Sequence, residues 1–393
     1  MRLGTLVLAC FAFLACEQKP TPEAGAGSAS PGPSGAGARD ASGTILIGEV
    51  GSLTGAQATF GISTRNGIEM ALDEVNARGG VMGKKVAVRV YDNQSKPEEA
   101  ANAVTRLIAQ DGAKLILGEV ASTNSLAMAP KAQAAKVPMI SPASTNPKVT
   151  QVGDFIFRVC FIDPFQCLVM AKFARENLKA QKAAVLRDNK SDYSHGLAQV
   201  FIEKFKAFGG TIVVEEDYAQ GDTDFRAQLT AIKSAKPDVV FVPGYYTDAG
   251  LIARQAKQLG LTATLLGGDG WESEKLFELG GSAIDGSYYS NHYSIDNPSP
   301  KTQKFLADYK KRFGTVPDSL AALGYDAAMV GLHAMEQAKD TSGPALRDAI
   351  ARTKDFDGVA GKINLDANRD AVKPAVVLKV TGGKAEYVTT ISP

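Results

Sequence analysis

Residues 115–147 read LILGEVASTNSLAMAPKAQAAKVPMISPASTNP. Two short apolar runs, 115–117 and 137–140, each end in a small, hydroxyl-rich turn. The first turn, Ala121-Ser122-Thr123-Asn124, opens a segment at 125–135 that reads as a helix. The second is Ser141-Pro142-Ala143-Ser144-Thr145-Asn146. A strand that ends in Ser or Thr and leads into a helix leaves free backbone N–H groups beside hydroxyl donors, a combination that suits an anion. The same residue types are the ordinary helix caps. The turns alone therefore read either as two N-caps or as neutral donors around a carboxylate.

The pattern extends in both directions as short apolar runs alternating with amphipathic segments. Residues 45–50 and 85–91 read as strands, 62–78 and 97–110 as helices. The first helix carries Ile68, Leu72 and Val75 on one face and ends at Gly79-Gly80, where glycine suits a helix terminus. Pro97 sits in the first turn of the second, where its missing N–H costs little. This is βαβα order, which predicts a parallel sheet with helices on both faces.

A second series starts near Asp163, with helices at 164–177, 196–208, 225–234 and 249–259 and strands at 183–186, 211–214, 238–242 and 264–266. Two similar α/β units in tandem predict two lobes with a cleft between them. Residues 301–313, 320–338 and 344–352 then read as three helices with no sheet of their own, which must return to cover one lobe. The tail, 376–380 and 386–390, reads as a hairpin closing on Gly382-Gly383.

Whole-chain properties narrow the function. The 393 residues suit about two domains. Lys+Arg 43 against Asp+Glu 42 leaves no basic excess, and no cluster of Lys and Arg stands out, which argues against a nucleic-acid partner. His195, His292 and His333 stand far apart without ligand spacing, which argues for scattered surface or packing residues and against a metal site. There is no G-x-S-x-G elbow, H-E-x-x-H, P-loop or Cys–His pairing. Asp248, Asp269 and Glu119 remain as carboxylates able in principle to form an acid/base pair. No cofactor is implied.

The N-terminus reads as a targeting segment. Arg2 precedes an apolar run, 3–15, too short to span a bilayer but suited to a signal peptide, and it ends in Phe13-Leu14-Ala15-Cys16. Residues 17–43, rich in Pro, Gly, Ala and Ser, read as a flexible tether. Cys160 and Cys167 are the remaining cysteines. In an exported protein such a pair forms a disulfide or is two buried thiols, and the spacing does not choose.

Four passages together resemble the periplasmic binding proteins for branched-chain amino acids. They are Ile47-Gly48 through Ser52-Leu53-Thr54-Gly55, and Asp73-Glu74-Val75-Asn76 running into Gly79-Gly80. The others are Gly118 to Ser122 followed by Pro138 to Thr145, and Arg254-Gln255-Ala256 through Gly267-Gly268-Asp269-Gly270-Trp271. The resemblance runs from about Thr44 to the C-terminus. It implies the type I fold of that superfamily: two doubly wound parallel-sheet lobes joined by a three-crossover hinge. By that likeness the N-lobe spans 44–162 and 293–368, and the C-lobe 163–292 and 369–393. It further implies a monomer that carries an amino acid to the permease subunits of an ABC transporter. Cys16 matches the lipidated cysteine of a bacterial lipoprotein, which would anchor the chain to a membrane on the periplasmic side; a cleaved, soluble form is the alternative. Phe13 and Leu14 depart from the usual residues of that signal.

The resemblance also assigns roles. Ser122, Ala143 and Thr145 match positions that hold an amino acid's α-carboxylate, and Asp269 matches the acceptor of its ammonium. Tyr193 and Tyr245 match aromatic positions of the pocket, Phe60 stands where some relatives have Tyr, and Trp271 is placed to pack on the ligand's side chain. Ser95 and Ala121 replace a cysteine pair of some relatives. The chemistry agrees, since a zwitterion needs an anion site and a cation site close together and shielded from water, and an unpaired buried ammonium would be costly. Two other readings stay open: a module that feeds a receptor instead of a permease, and a pocket for an amide or aromatic acid.

Overall fold

The computed structural model describes residues 43–393. The signal-peptide reading, Cys16 and nearly all of the tether lie outside the described residues. Alternation of short apolar runs with amphipathic segments produces two sheets. The first holds β1 (Ile45–Gly51), β2 (Val86–Asp92), β3 (Ile116–Leu117), β4 (Met139–Ser141) and β5 (Ile156–Arg158), in the order β2-β1-β3-β4-β5 with every pairing parallel.

The second sheet holds β6 (Lys182–Asp188), β7 (Thr211–Tyr218), β8 (Val239–Phe241), β9 (Thr264–Gly267) and β10 (Tyr288–Asn291). A two-stranded piece, β11 (Phe356–Gly358) and β12 (Gly361–Ile363), precedes the final hairpin, β13 (Ala375–Thr381) and β14 (Lys384–Ile391). That hairpin joins the second sheet antiparallel to β10, giving the order β14-β13-β10-β9-β8-β6-β7. The chain thus passes between the sheets three times: after β5, after β10 and after β12. This is the α/β, type I periplasmic binding protein fold expected from the resemblance.

The C-terminal helices cover the first lobe. The helix Ser319–Ala338, buried along almost its whole length, lies against the helix Ala58–Ala77. The two backbones touch: a Cβ on Gly67 would fall 1.9 Å from the Ala321 carbonyl oxygen, and one on Gly324 would fall 2.4 Å from that of Thr64. Only glycine permits that approach.

Two differences from the sequence reading have local causes, and one choice left open by the sequence is resolved. β5 and β10 do not stand out in the sequence because each is short and ends in buried polar residues, Arg158 and Ser290-Asn291. The helix 125–135 begins instead at Ser122, so its first turn uses the hydroxyl residues themselves. Cys160 and Cys167 are two separate buried thiols and form no disulfide, the second of the two readings above. Cys160 Sγ points at the Ser144 carbonyl (3.4 Å) and Cys167 Sγ at that of Leu197 (3.2 Å). Burial pushes the Cys160 thiol up to about 12 and Cys167 well above its ordinary value, so neither is a ready thiolate.

Candidate functional site

The carboxyl ends of the parallel strands of both sheets face one cleft, where ligands bind in open α/β sheets. A small cavity of about 10 Å³ lies there, lined by Phe60, Val120, Ala143 and Leu320 from the first lobe and Tyr193, Tyr245, Asp269 and Gly270 from the second. Five of the sequence-assigned residues therefore meet at one place: Phe60, Ala143, Tyr193, Tyr245 and Asp269.

The first-lobe wall is built by the two hydroxyl turns. The helix Ser122–Ala135 has Ala121 at its N-cap and no side-chain cap, so its first turn is not closed by a hydroxyl. The serines of the turns divide into two groups. Ser125, Ser141 and Ser144 staple the turns together: Ser141 Oγ and Ser144 Oγ donate to the Glu119 carbonyl at 2.7 and 3.0 Å, and Ser125 Oγ lies 2.7 Å from Ser144 Oγ. Ser122 and Thr145 are also buried, yet neither belongs to the cavity lining. Ser122 Oγ accepts the Asn146 N–H at 3.3 Å. Thr145 Oγ1 makes no hydrogen bond of good geometry, although it sits near enough to hold down the Asp163 carboxyl electrostatically.

Arg158 organises the second turn from beneath. Fully buried at the end of β5, it donates to the Ser144 carbonyl and to that of Asn146 (2.8 Å), and it pairs with Asp370 at 2.7 Å. Glu119 does the same for the first turn, accepting from Ser52 Oγ at 2.7 Å and the Ala121 N–H at 2.6 Å. Burial raises the pKa of Glu119 against the pull of these donors.

The second-lobe wall centres on Asp269, which lies just beyond β9 after Gly268. Its Oδ1 accepts from Tyr193 Oη at 2.7 Å and Gln166 Nε2 at 3.0 Å, and its Oδ2 lies 2.9 Å from His292 Nε2. Tyr193 and Tyr245 stack at 5.0 Å between centroids, and Phe60 meets Tyr245 edge-on at 5.8 Å. Tyr245 Oη is buried without a hydrogen-bond partner. Asp163, beside Gln166, is pushed up to about 7 chiefly by burial.

Trp271 does not belong to the site, contrary to the sequence expectation. It is 0% exposed and donates Nε1–H to the Val242 carbonyl at 3.0 Å. Gly267 makes room for it, since a Cβ there would fall 2.2 Å from the indole. The short turn Asp269–Trp271 places this ring in the hydrophobic core beside Tyr289, so a glycine-rich setting that suggests exposure in fact receives a core side chain. The sequence reading missed Gln166, His292, Val120 and Leu320. His292 reads in sequence as a scattered histidine and is instead buried against Asp269.

The cleft is closed by contacts between the lobes. The Asp192 N–H donates to Thr123 Oγ1 at 3.0 Å, and Asn146 Nδ2 donates to the Asp192 carbonyl at 2.7 Å. Thr59 Oγ1 lies 3.1 Å from Ser273 Oγ, and the Thr59 N–H donates to Tyr246 Oη at 3.3 Å.

Comparison with known proteins gives consistent relatives. A family profile described as periplasmic binding protein matches residues 44–385. The Leu/Ile/Val-binding protein BraC3 of Rhizobium johnstonii is 31% identical over 330 residues, covering 83% of this chain and 88% of that protein. The crystal structure of a leucine-binding protein, LivK, from Thermotoga maritima is 42% identical with a TM-score of 0.86, covering 89% of this chain and 99% of its own. That of the branched-chain amino acid transporter substrate-binding protein LivJ from Streptococcus pneumoniae, solved in complex with isoleucine, is 35% identical with a TM-score of 0.84, covering 89% and 100%.

Proposed function

The chain belongs to the periplasmic binding protein family, a family of substrate-binding proteins and not of enzymes, and from that premise we propose that it captures an apolar amino acid between its lobes and delivers it to an ABC permease. The observation that carries this reading is the position of Asp269. Its carboxylate lines a small, largely apolar cavity whose opposite wall includes Val120 and Ala143, next to the two hydroxyl turns. An amino acid's ammonium meets Asp269, and its carboxylate meets Ala143 and the backbone and hydroxyls of Ser122 and Thr145, which come within reach by small shifts of the turns. Its side chain packs among Phe60, Val120, Leu320 and Tyr245.

An aromatic acid fits this site less well. It brings no cation for Asp269, and it would bury its own carboxylate beside another. The lobes take the boundaries 44–162 with 293–368, and 163–292 with 369–393, and they close about the three crossovers. Cys16 carries the lipid that holds a monomeric chain at the membrane on the extracytoplasmic side, with 17–43 as tether.

The test is a thermal-shift panel followed by calorimetry. Leucine, isoleucine, valine and alanine should raise the melting temperature, while 4-methylpentanoate (no ammonium) and benzoate should not. Stabilisation by the acids alone, with no response to any amino acid, would overturn the reading.

A further inference from the structure

Asp269 is held by Tyr193 and by two residues at the lobe crossings, Gln166 and His292. Gln166, in the first turn of the helix Asp163–Glu176, accepts at Oε1 from Ser290 Oγ (2.8 Å) and from the Asp269 N–H (3.2 Å). With its oxygen so engaged, its amide N–H₂ must face Asp163 (3.1 Å) and Asp269 (3.0 Å). His292 begins the second crossing, and its ring stacks on Phe161 of the first at 3.8 Å and 26°. It approaches Asp269 from outside the cavity, whose lining does not include it.

An ionised carboxylate has about four acceptor directions. Tyr193 and Gln166 occupy Oδ1, and His292 occupies one direction of Oδ2. What remains for a ligand is the other direction of Oδ2. We propose that His292 is a positioning residue for the ammonium site: as a neutral ring it orients Asp269 toward the ligand, and as a cation it withdraws that carboxylate's charge from the ligand. This rests on the reading of Asp269 as an ammonium acceptor.

The surroundings favour the neutral ring in the free protein. His292 is buried, and Nδ1 has no hydrogen-bond partner that would welcome a proton. Burial lowers its pKa first and the nearby Lys373 ammonium adds to this, while Asp269 acts in the opposite sense. A ligand's ammonium at Asp269 adds a second positive charge nearby, so ligand and proton compete for one carboxylate. Linkage makes the competition reciprocal. Other charged groups stand close. Lys373 is backed by Asp326 and by the Cys160 thiol, and Cys160 lies near Arg158 and Asp370. Asp163, pushed up to about 7, gains a negative charge beside Asp269 as pH rises and would also favour an ammonium. Separate variants are therefore needed.

The experiment is calorimetry of L-leucine, with L-isoleucine, L-valine and L-alanine in parallel, on the full chain from pH 5.0 to 7.5. The native protein should lose about tenfold in affinity at the acid end. His292→Gln, which keeps an N–H donor and cannot titrate, should stay within about fivefold of native at pH 7.5 and flatten the acid limb to under about threefold. His292→Phe should lose about tenfold or more at every pH. Asp163→Asn should keep the acid limb. If Asp269→Asn abolishes binding while His292→Gln retains the native pH curve, the positioning role falls and the ammonium reading stands. If Asp269→Asn binds as well as native, both fall.

A second measurement needs no variant at His292. The chain has three histidines, and His195 and His333 are exposed, so His195→Gln and His333→Gln assign the ring C2–H signals by elimination. The His292 signal should titrate below the ordinary histidine range and move lower still when leucine is added. A His292 titration unmoved by leucine would overturn the proposal.

Discussion

Glu272 of the second lobe caps a helix of the first: its carboxylate accepts the Ser319 N–H at 3.0 Å and the Ser319 hydroxyl as well. Its other oxygen accepts from Asn291 Nδ2 at 2.7 Å. Burial, with the Asp318 carboxylate second, pushes Glu272 up to about 8. The contact exists only while the lobes are together, so it reports closure. Glu272→Ala should weaken amino-acid binding about tenfold, the loss of roughly one hydrogen bond across the cleft. It should also reduce ligand-induced compaction in solution scattering. Native affinity and native compaction in the variant would show that closure does not use this cap.

Asp269→Asn replaces a charged acceptor by a neutral one of similar shape. A buried ammonium left without its partner costs about 3–5 kcal/mol, so leucine affinity should fall by at least about a hundredfold. The far-ultraviolet circular dichroism should stay native. Calorimetry decides it, and a loss under fivefold would count against a charged contact.

The serines of the two turns should behave differently. Ser122→Ala and Thr145→Ala should each reduce amino-acid affinity about tenfold with little change in urea midpoint, because their proposed partner is the ligand. Ser144→Ala should do the reverse, costing about 2 kcal/mol of stability because its hydroxyl bonds the Glu119 and Val120 carbonyls at 3.0 and 2.9 Å. If all three variants lose stability equally, Ser122 and Thr145 are structural caps.

Glu49, in β1, is 1% exposed and neither carboxyl oxygen has a hydrogen-bond partner. Burial pushes it up from 4.5 to about 8. Over that window the folded chain holds a proton that the unfolded chain has released. Its contribution is therefore fully present below about pH 4.5 and is lost as pH rises through about 8, a change on the order of 5 kcal/mol. Glu49→Gln should flatten the fall in urea-derived stability between pH 5 and 8. An unchanged slope would assign that fall to other buried acids such as Asp326 or Glu272.

Much of the fold was legible because periodicity is a local property. Alternating apolar runs and amphipathic stretches give nearly every helix and strand of both series, and Gly382-Gly383 marks the final hairpin. The strands that escaped, β5, β10, β11 and β12, are short, and β5 and β10 end in buried polar residues whose partners lie far along the chain: Arg158 with Asp370, Ser290 with Gln166.

For the site, residues at strand ends were readable as types. Asp269 and Tyr245 lie in the loops that follow strands β9 and β8 of the second sheet, and Ala143 lies in a turn whose composition is unusual. Trp271 was misread because sequence shows that a ring stands in a turn but not which way the turn points it.

Sequence alone carried the two α/β units and their family, since periodicity and turn chemistry are local, and through the resemblance it offered Phe60, Ala143, Tyr193, Tyr245 and Asp269, which the fold brings to one cavity. Only the tertiary structure decided that Trp271 belongs to the core, that Cys160 and Cys167 stay apart, and that His292 and Gln166 hold Asp269. Those outcomes depend on where side chains from distant segments meet at the crossings. Distance, burial and the direction of a hydrogen bond exist only once the lobes have been brought together.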